Sequence, residues 1–338
     1  MADKSAIEWT DATWNPIRGC RRVSPGCQNC YAERTAARFC GPGQAYDGLI
    51  KLTKDGPRWS GKVKFVAEHL YDPLRWKTPR RIFVNSMSDL FYEEFTDAER
   101  DQVLAVMLLA PRHTFQVLTK RAATMRRYLS DPGLYERVLA AAGVIRNEFP
   151  KLAQVGISNP ATRPAPWIWW GVSVENQAAA DERVPELLQT PAAMRFLSCE
   201  PLLGPVELRH LDADAHGHRD LCQVDALTGR HTDMGRPCPD VGRIGWVIVG
   251  CESGPGSRPC DVAWLRRLRD QCAAAGVPCF LKQATNVPAC IPAPAGLVTK
   301  SGWIDVVDVG PGSHLKAGGV IGAPYLDGQQ HLEFPEAV

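Results

Sequence analysis

Short apolar runs, each ending in polar residues, recur along the chain and alternate with segments that have the composition of helices. Six such runs are Arg81–Ser86, Thr114–Lys120, Ile168–Glu175, Met194–Glu200, Trp246–Glu252 and Pro278–Lys282. Continuous apolar strands separated by helices are typical of a parallel sheet that is covered on both faces. The repeat therefore predicts an α/β fold, a complete or partial (β/α) barrel of parallel strands. A further, weakly marked first strand is expected before residue 19.

Two of the intervening helices have clear signals at their amino ends. Thr96 and Glu99 form the pattern of a capping box, and an apolar run from Val103 to Ala110 follows it. Asp261 is a second capping residue, before a helix whose apolar positions lie on one face. These signals predict helices in the crossovers between strands.

The polar residues at the ends of the apolar runs are candidates for a functional site. In barrel and open α/β folds, the carboxyl ends of parallel strands carry the site. We therefore assign four charged strand-end residues to the substrate, namely Lys120, Glu200, Glu252 and Lys282. Burying such charges is costly unless they bind a ligand or pair with each other, and mutual ion pairing is the alternative.

A loop near the start of the chain brings three cysteines together. Cys20, Cys27 and Cys30 have the spacing C-x6-C-x2-C, and the Gly and Pro residues between them favour a tight turn. Compact groups of thiols in such loops usually bind a metal or a cluster, and incidental thiols are the alternative.

The number of these thiols predicts an open coordination position. Structural zinc sites and simple iron–sulfur clusters use four protein ligands. Cys40 is the nearest further cysteine, but a helix predicted over Tyr31–Phe39 places it about 15 Å from Cys30. Three protein ligands and one open position indicate chemistry or a bound small molecule rather than a structural staple.

The composition is that of a folded protein from a reducing compartment. The chain has 338 residues, of which 45% are hydrophobic, and its net charge of +2 gives no global attraction to nucleic acid or membrane. Twelve cysteines without an apolar leader predict free or metal-bound thiols and a cytoplasmic location. No apolar run approaches the length of a membrane span.

Two segments interrupt the strand–helix repeat. Residues 205–243 form a polar insertion, in which four residues are candidates for a second metal site. These are His216, His218, Cys222 and Cys238, and zinc is the metal expected for such ligands. Scattered residues on a solvated surface are the alternative. Residues 284–338 are rich in Pro and Gly and are predicted to form a small cap on a barrel domain of residues 1–283.

Several long motifs resemble one family. The chain resembles the phage Gp37/Gp68 family, a group of three-Cys-motif proteins of the DUF5131 type. The motifs that carry this resemblance are Glu8-Trp9-Thr10, Trp14-Asn15-Pro16, the cysteine loop with Tyr31-Ala32-Glu33, Phe83 to Leu90, Phe115 to Arg121, Cys199 to Gly204 and Val247 to Gly254. This family is similar to radical S-adenosylmethionine (SAM) enzymes, so the resemblance implies a radical-SAM-like barrel.

The resemblance also implies cofactors and their ligands. In radical SAM enzymes three cysteines hold a 4Fe-4S cluster, whose fourth iron binds SAM, and here they correspond to Cys20, Cys27 and Cys30. The spacing differs, because the usual first gap is three residues and here it is six. Further cofactor-binding residues implied by their position are Tyr31, Ser86, Ser88, Asp89, Ser173 and Glu175. Of these, Ser88 and Asp89 are assigned to the SAM amino group, and Ser173 and Glu175 to the ribose hydroxyls.

The leading functional hypothesis is therefore a radical SAM enzyme that receives electrons from a donor such as flavodoxin or ferredoxin. Its substrate is expected to be a nucleic acid base or nucleotide, from the phage association and the basic segment Lys120–Arg127, although that segment also fits a solvated helix face. One alternative is a zinc-bearing, non-radical barrel that binds nucleic acid or hydrolyses its substrate. Another is a non-catalytic partner module with a structural cluster.

Overall fold

The computed structural model describes residues 5–212, 222–233, 241–254, 256–283, 314–316, 319–321, 325–327 and 329–335. The chain forms two compact units. One unit comprises Met1–Gly171 with Gln189–Met194, and the other comprises Val172–Leu188 with Arg195–Ala337. Among the described residues, no helix is both long and apolar enough to cross a lipid bilayer.

Seven parallel strands form the principal sheet. They are β1 (Ala12–Trp14), β2 (Arg81–Val84), β3 (Thr114–Thr119), β4 (Ile168–Ser173), β5 (Met194–Cys199), β6 (Trp246–Gly250) and β7 (Cys279–Gln283). Their order in the sheet follows their order in the chain. This is the topology of a partial (β/α) barrel, so the predicted α/β class and all six marked strands are confirmed, and β1 is the weakly marked first strand.

Eight α-helices accompany the strands. They are α1 (Tyr31–Ala37), α2 (Ala67–Leu70), α3 (Asp72–Arg75), α4 (Asp97–Leu109), α5 (Ala122–Leu129), α6 (Leu134–Glu148), α7 (Gln177–Gln189) and α8 (Val262–Ala275) among the described residues. Short 3-10 turns cover Pro25–Cys27 and Pro150–Gln154. Strands β4 and β6 are buried at every position, as expected for strands covered on both faces.

The predicted caps begin their helices. Thr96 accepts a hydrogen bond from the Glu99 amide, and the Glu99 side chain accepts one from the Thr96 amide, so the capping box of α4 is complete. Asp261 accepts from the Ala263 amide at the start of α8, and Gly276 ends that helix with a φ of 65°. The left-handed conformation at that end is one that glycine adopts without strain.

In the first unit, a small lobe follows β1. It contains α1 and two antiparallel pairs, Ile17–Arg18 with Lys64–Phe65 and Ile50–Thr53 with Gly56–Trp59. A hydrophobic cluster joins α1 to the hairpin through Ala32, Ala36, Tyr46, Leu49 and Met87. The lobe therefore has its own apolar anchor beside the carboxyl end of β2, where Met87 lies.

In the second unit, part of the predicted insertion forms a three-stranded antiparallel sheet. Its strands are Leu211–Asp212, Cys222–Asp225 and Arg230–Asp233. Most of the predicted cap, residues 284–338, lies outside the described residues. In its described part, Leu332 forms an antiparallel bridge with Phe280 of β7.

Candidate functional site

The cysteine loop begins at a glycine that no other residue could replace without movement of the backbone. Gly19 has a φ of 95°, and a Cβ there would lie 2.3 Å from the carbonyl oxygen of Lys62. Gly19 also forms a parallel bridge with Ser88, in the turn that follows β2. The loop therefore starts at the carboxyl edge of the sheet, where the sequence predicts a site.

Two of the three thiols lie at points where the local backbone turns. Cys27 ends a 3-10 turn, and its amide donates to the Ser24 carbonyl at 2.9 Å. Cys30 immediately precedes α1, where its side chain makes no capping hydrogen bond but the nearby backbone amides of Glu33 and Ala32 lower its pKa. Amide donors at a helix start favour a thiolate, although burial raises the pKa of Cys30 by a larger amount.

The three thiols are half-buried, free and close enough to influence each other. Burial is the main cause that raises the pKa of Cys20 to about 12, and the charges of Asp89, Cys30 and Cys27 add to it. Within the described part of the chain, no three His, Cys, Asp or Glu side chains stand in an arrangement that could hold a metal ion. The donor set is thus gathered in one loop, and a cluster would require the thiols to converge further.

Two buried carboxylates anchor the loop. The carboxylate of Glu33 on α1 accepts hydrogen bonds from Nε and one Nη of Arg22. It also accepts one from the Trp59 amide at 3.0 Å. Arg22 donates in addition to the Gln28 carbonyl at 2.6 Å, so one ion pair holds both arms of the cysteine loop to the helix and the hairpin.

Asp89 is the second anchor. Its carboxylate accepts from Thr119 Oγ1 at 2.7 Å, from the Lys120 amide at 3.2 Å and from an Nη of Arg121 at 3.0 Å. Arg121 also donates to the Arg21 carbonyl at 3.0 Å, and its guanidinium lies 4.6 Å from the centre of the Tyr92 ring. Arg121 is therefore buried among carboxylates and a carbonyl, so it is not exposed to the phosphate groups of a ligand in solution. Arg127 of the same basic segment is exposed.

The serines after β2 contact the loop. Ser88 Oγ donates to the Ile17 carbonyl at 2.8 Å, and Ser86 Oγ hydrogen-bonds with the Asn15 side chain at 3.2 Å. The hydroxyl of Tyr31 donates to the Ser86 carbonyl, while its ring is 48% exposed. The structure thus brings Tyr31, Ser86 and Ser88 together beside the cysteine loop, and their assignment to a cofactor stays a prediction.

Asn85 is an unusual residue in this turn. It directly follows β2, it has a φ of 58°, and it is only 2% exposed. Neither the oxygen nor the nitrogen of its side-chain amide has a hydrogen-bond partner among the described residues. Buried polar groups are nearly always paired, so an amide without a partner at a strand end is a candidate ligand contact.

The strand-end residues of the second unit form ion pairs. Glu175 pairs with Arg183 at 2.8 Å, and both are buried, while Arg183 also donates to the carbonyl of Ser173. Glu252 pairs with Arg258, an interaction in which the Arg258 amide also takes part at 2.9 Å. These partners satisfy the carboxylates predicted to contact ribose or substrate.

Glu200 and Lys282 are brought together in the same unit. Lys282 Nζ lies 2.5 Å from Glu200 Oε1, which also accepts from Gln283 Nε2 at 2.9 Å. Gly250 lies against them, since a Cβ there would be 3.4 Å from the Glu200 side chain. Glu200 and Lys282 therefore follow the alternative prediction, in which the charged residues at the strand ends form ion pairs with each other. Lys120 is half-buried in the first unit.

The remaining predicted metal site cannot be compared with the structure. His216, His218 and Cys238 lie outside the described residues, and of Cys222 only the strand backbone is described. The other described cysteines of the second unit are buried free thiols, namely Cys199, Cys251, Cys260, Cys272 and Cys279. Burial and the nearby Cys279 raise the pKa of Cys199, and a hydrogen bond with Cys251 together with burial raises the pKa of Cys260, so both residues behave as small core side chains.

A family model described as "Protein of unknown function (DUF5131)" matches residues 4–335. The chain belongs to the DUF5131 family. No curated protein and no solved structure matches it. The DUF5131 match spans nearly the whole chain, so it includes the cysteine loop, the turn after β2 and the strand ends of both units.

Several site residues of this DUF5131 protein escaped the sequence analysis. Arg183 and Arg258 are partners of the predicted carboxylates Glu175 and Glu252, and nothing in their local sequence indicates these contacts. Arg22 and its partner Glu33 were not predicted as site residues. Asn85 had a usable signal, because Asn at the end of a buried strand tolerates the left-handed conformation that a sharp turn requires.

Proposed function

We propose that this DUF5131 protein is a radical SAM enzyme in which Cys20, Cys27 and Cys30 hold a 4Fe-4S cluster. The observation that carries the proposal is a loop with three half-buried free thiols at the carboxyl edge of a parallel sheet. Among the described residues these thiols do not yet stand as a metal-binding group, so cluster binding requires them to converge. When bound, the cluster and SAM supply reductive cleavage of SAM to a 5′-deoxyadenosyl radical. The link to the phage Gp37/Gp68 proteins is part of the same proposal.

The chemistry of the donor set fits such a cluster. Thiolates are the usual protein ligands of iron–sulfur clusters, and amide hydrogen bonds to sulfur tune them. The Ala32 and Glu33 amides lie at the start of α1 beside Cys30 and are positioned to supply such bonds once a cluster is bound. Because burial holds the Cys20 pKa near 12, this thiol must lose its proton when it binds iron. The buried guanidinium of Arg121 lowers the Cys20 pKa and would offset part of the negative charge.

The residues around the loop have separate roles in this proposal. Arg22 and Glu33 hold the two arms of the loop, and Asp89 fixes Arg121 against the Arg21 carbonyl. Asn85 has a donor and an acceptor at the strand end, which suit a polar group of SAM such as its carboxylate or ammonium. Tyr31 lies with a half-exposed ring beside the loop and limits access of water.

Reconstitution tests the proposal directly. The protein is purified without oxygen, treated with ferrous iron and sulfide, and assayed with dithionite and SAM for 5′-deoxyadenosine. We expect four iron and four sulfide per chain, the broad visible absorption of an iron–sulfur cluster, and SAM cleavage. A deuterium-labelled nucleotide or oligonucleotide pool then reports whether a nucleotide is the substrate, because hydrogen abstraction from it would carry deuterium into 5′-deoxyadenosine.

Cysteine variants supply matched controls. Cys27→Ala is expected to lose the cluster and SAM cleavage, whereas Cys40→Ala, a half-buried thiol whose sulfur donates to the Ala37 carbonyl, is expected to retain both. One zinc per chain with neither iron nor sulfide would instead support a zinc-bearing, non-radical barrel. Equal retention of the cluster in both variants would contradict the assignment of the loop.

A further inference from the structure

Positive charge is concentrated in one part of the chain. Residues 18–64, which we name the basic lobe, contain ten Lys and Arg residues and three Asp and Glu residues. The lobe therefore has a net charge of +7, although the whole chain has only +2, so the rest of the chain is net negative. One of the three carboxylates, Glu33, is buried and already paired with Arg22, which leaves two for the other nine cations.

Most of this charge is accessible. Six of the basic side chains in the lobe are exposed, and these are Arg21, Arg38, Lys51, Lys54, Lys62 and Lys64. Arg18 and Lys64 are cross-strand partners, and Lys51 lies opposite Arg58 in the hairpin. Like charges directly opposite each other destabilise a sheet. A bound anionic partner would offset this repulsion in both antiparallel pairs of the lobe.

The same lobe exposes apolar side chains. Six large apolar residues are exposed in the described part of the chain, and four of them lie in the basic lobe: Val23, Tyr31, Phe39 and Leu52. Leu52 is 75% exposed in the hairpin, and the two aromatic residues are about half exposed. Exposed apolar groups concentrated in one region mark a binding surface.

The aromatic and basic side chains are interleaved along α1. Tyr31, Arg34 and Arg38 have the spacing i, i+3, i+7 and share one side of the helix, opposite the buried Ala32 and Ala36. Phe39 follows directly. The hydrophobic cluster under α1 fixes this helix against the hairpin, so the surface is ordered by its own core.

We propose that the basic lobe binds single-stranded nucleic acid. Lys and Arg neutralise phosphates, and exposed rings stack on bases that are not already stacked in a duplex. An acidic protein partner is less favoured because Lys is depleted in protein interfaces, whereas four of the six exposed cations of the lobe are Lys. The inference rests on the surface of the lobe and does not require the cluster or SAM.

Fluorescence anisotropy with the full-length protein tests this inference. The probe is a labelled oligo(dT) strand of about 20 nucleotides, a length that covers more than one typical single-strand site. The same measurement with a duplex of equal length gives the comparison. We expect binding that weakens steeply with salt and that favours the single strand at each salt concentration.

Two sets of variants locate the binding surface. Lys51→Ala with Lys54→Ala should lower the magnitude of the salt slope by about 1.4, since each phosphate contact on a single strand contributes about 0.7. Phe39→Ala should weaken binding roughly tenfold at constant salt if the ring stacks on a base. The control is Lys151→Ala with Arg163→Ala, which removes two exposed charges of the same unit outside the lobe.

Three results would overturn the inference. The first is no binding of either probe at low salt, which would leave an acidic protein as the partner to be sought. The second is equal affinity for the duplex and the single strand. The third is an equal loss of binding in the lobe variant and its control. Circular dichroism of each variant shows whether it is folded, and the salt slope of the folded variants decides the outcome.

Discussion

Asn85 combines two features that are unfavourable in a folded protein without a ligand. A positive φ costs a non-glycine residue conformational energy, although Asn tolerates it better than most, and a buried amide without partners loses its hydrogen bonds to water. Both occur at one strand end beside the cysteine loop. A ligand that pairs with this amide would recover the second of these losses, which is the reason for assigning Asn85 to SAM.

Replacement of Asn85 by glycine separates binding from folding. Asn85→Gly keeps the positive φ and removes the amide, so we expect the free energy of unfolding in urea to stay within about 1 kcal/mol of the wild type. The stabilisation of the reconstituted protein by SAM, measured as a shift in Tm, should fall. A variant that is much less stable without SAM, yet gains the full shift with it, would remove Asn85 from the site.

His113 gives the protein a defined response to acid. It is buried, its Nε2 lies 3.0 Å from the Pro73 carbonyl, and burial with nearby Arg112 and Arg80 lowers its pKa below 6.5. The unfolded chain therefore takes up a proton first as the pH falls. Stability from neutral His113 is complete above about pH 6.5 and is lost progressively below it.

A glutamine variant measures this contribution. His113→Gln is expected to be less stable than the wild type at neutral pH, because it alters a buried contact. Its free energy of unfolding should nevertheless change less between about pH 5 and pH 7. Parallel pH profiles for the two proteins would show that His113 does not titrate in this way.

At the scale of the element, the capping box of α4 is a local interaction with a predictable value. Thr96→Ala removes the side-chain oxygen that accepts from the Glu99 amide, so we expect a loss of about 1 kcal/mol in the free energy of unfolding. Thr96→Ser keeps that oxygen and should remain close to the wild type. An equal loss in both variants would assign the effect to the methyl group instead of the cap.

Elements with strong local signals were predicted well. The six marked strands and the caps of α4 and α8 follow from runs of buried apolar residues and from side chains that bond to nearby amides. The three-stranded sheet that includes Cys222–Asp225 was missed, because its strands are short and polar and alternate with turn residues. Short strands of this kind depend on pairing partners that composition does not reveal.

At the scale of the whole molecule, the position of the candidate site was easier to predict than its contacts. Parallel topology requires that strand ends share an edge, so the grouping of the cysteine loop with the turn after β2 followed from the strand pattern. The pairing of Asp89 with Arg121, or of Glu252 with Arg258, could not be inferred, since several Arg residues were available to each carboxylate. The net charge of the whole chain likewise did not predict the basic lobe, because the positive charge of the lobe is cancelled in the sum by negative charge elsewhere.

Arg121 joins its own segment to two others that are far from it in the sequence, because it contacts Asp89 and Glu93 after β2 and the carbonyl of Arg21 in the cysteine loop. A synthetic peptide that contains only the three-cysteine loop would lack these contacts of Arg121. It would also lack the hydrogen bond from the Trp59 amide to Glu33. Such a peptide is therefore expected to sample many backbone shapes. Grafting the motif onto another scaffold would succeed only if these distant supports were transferred with it.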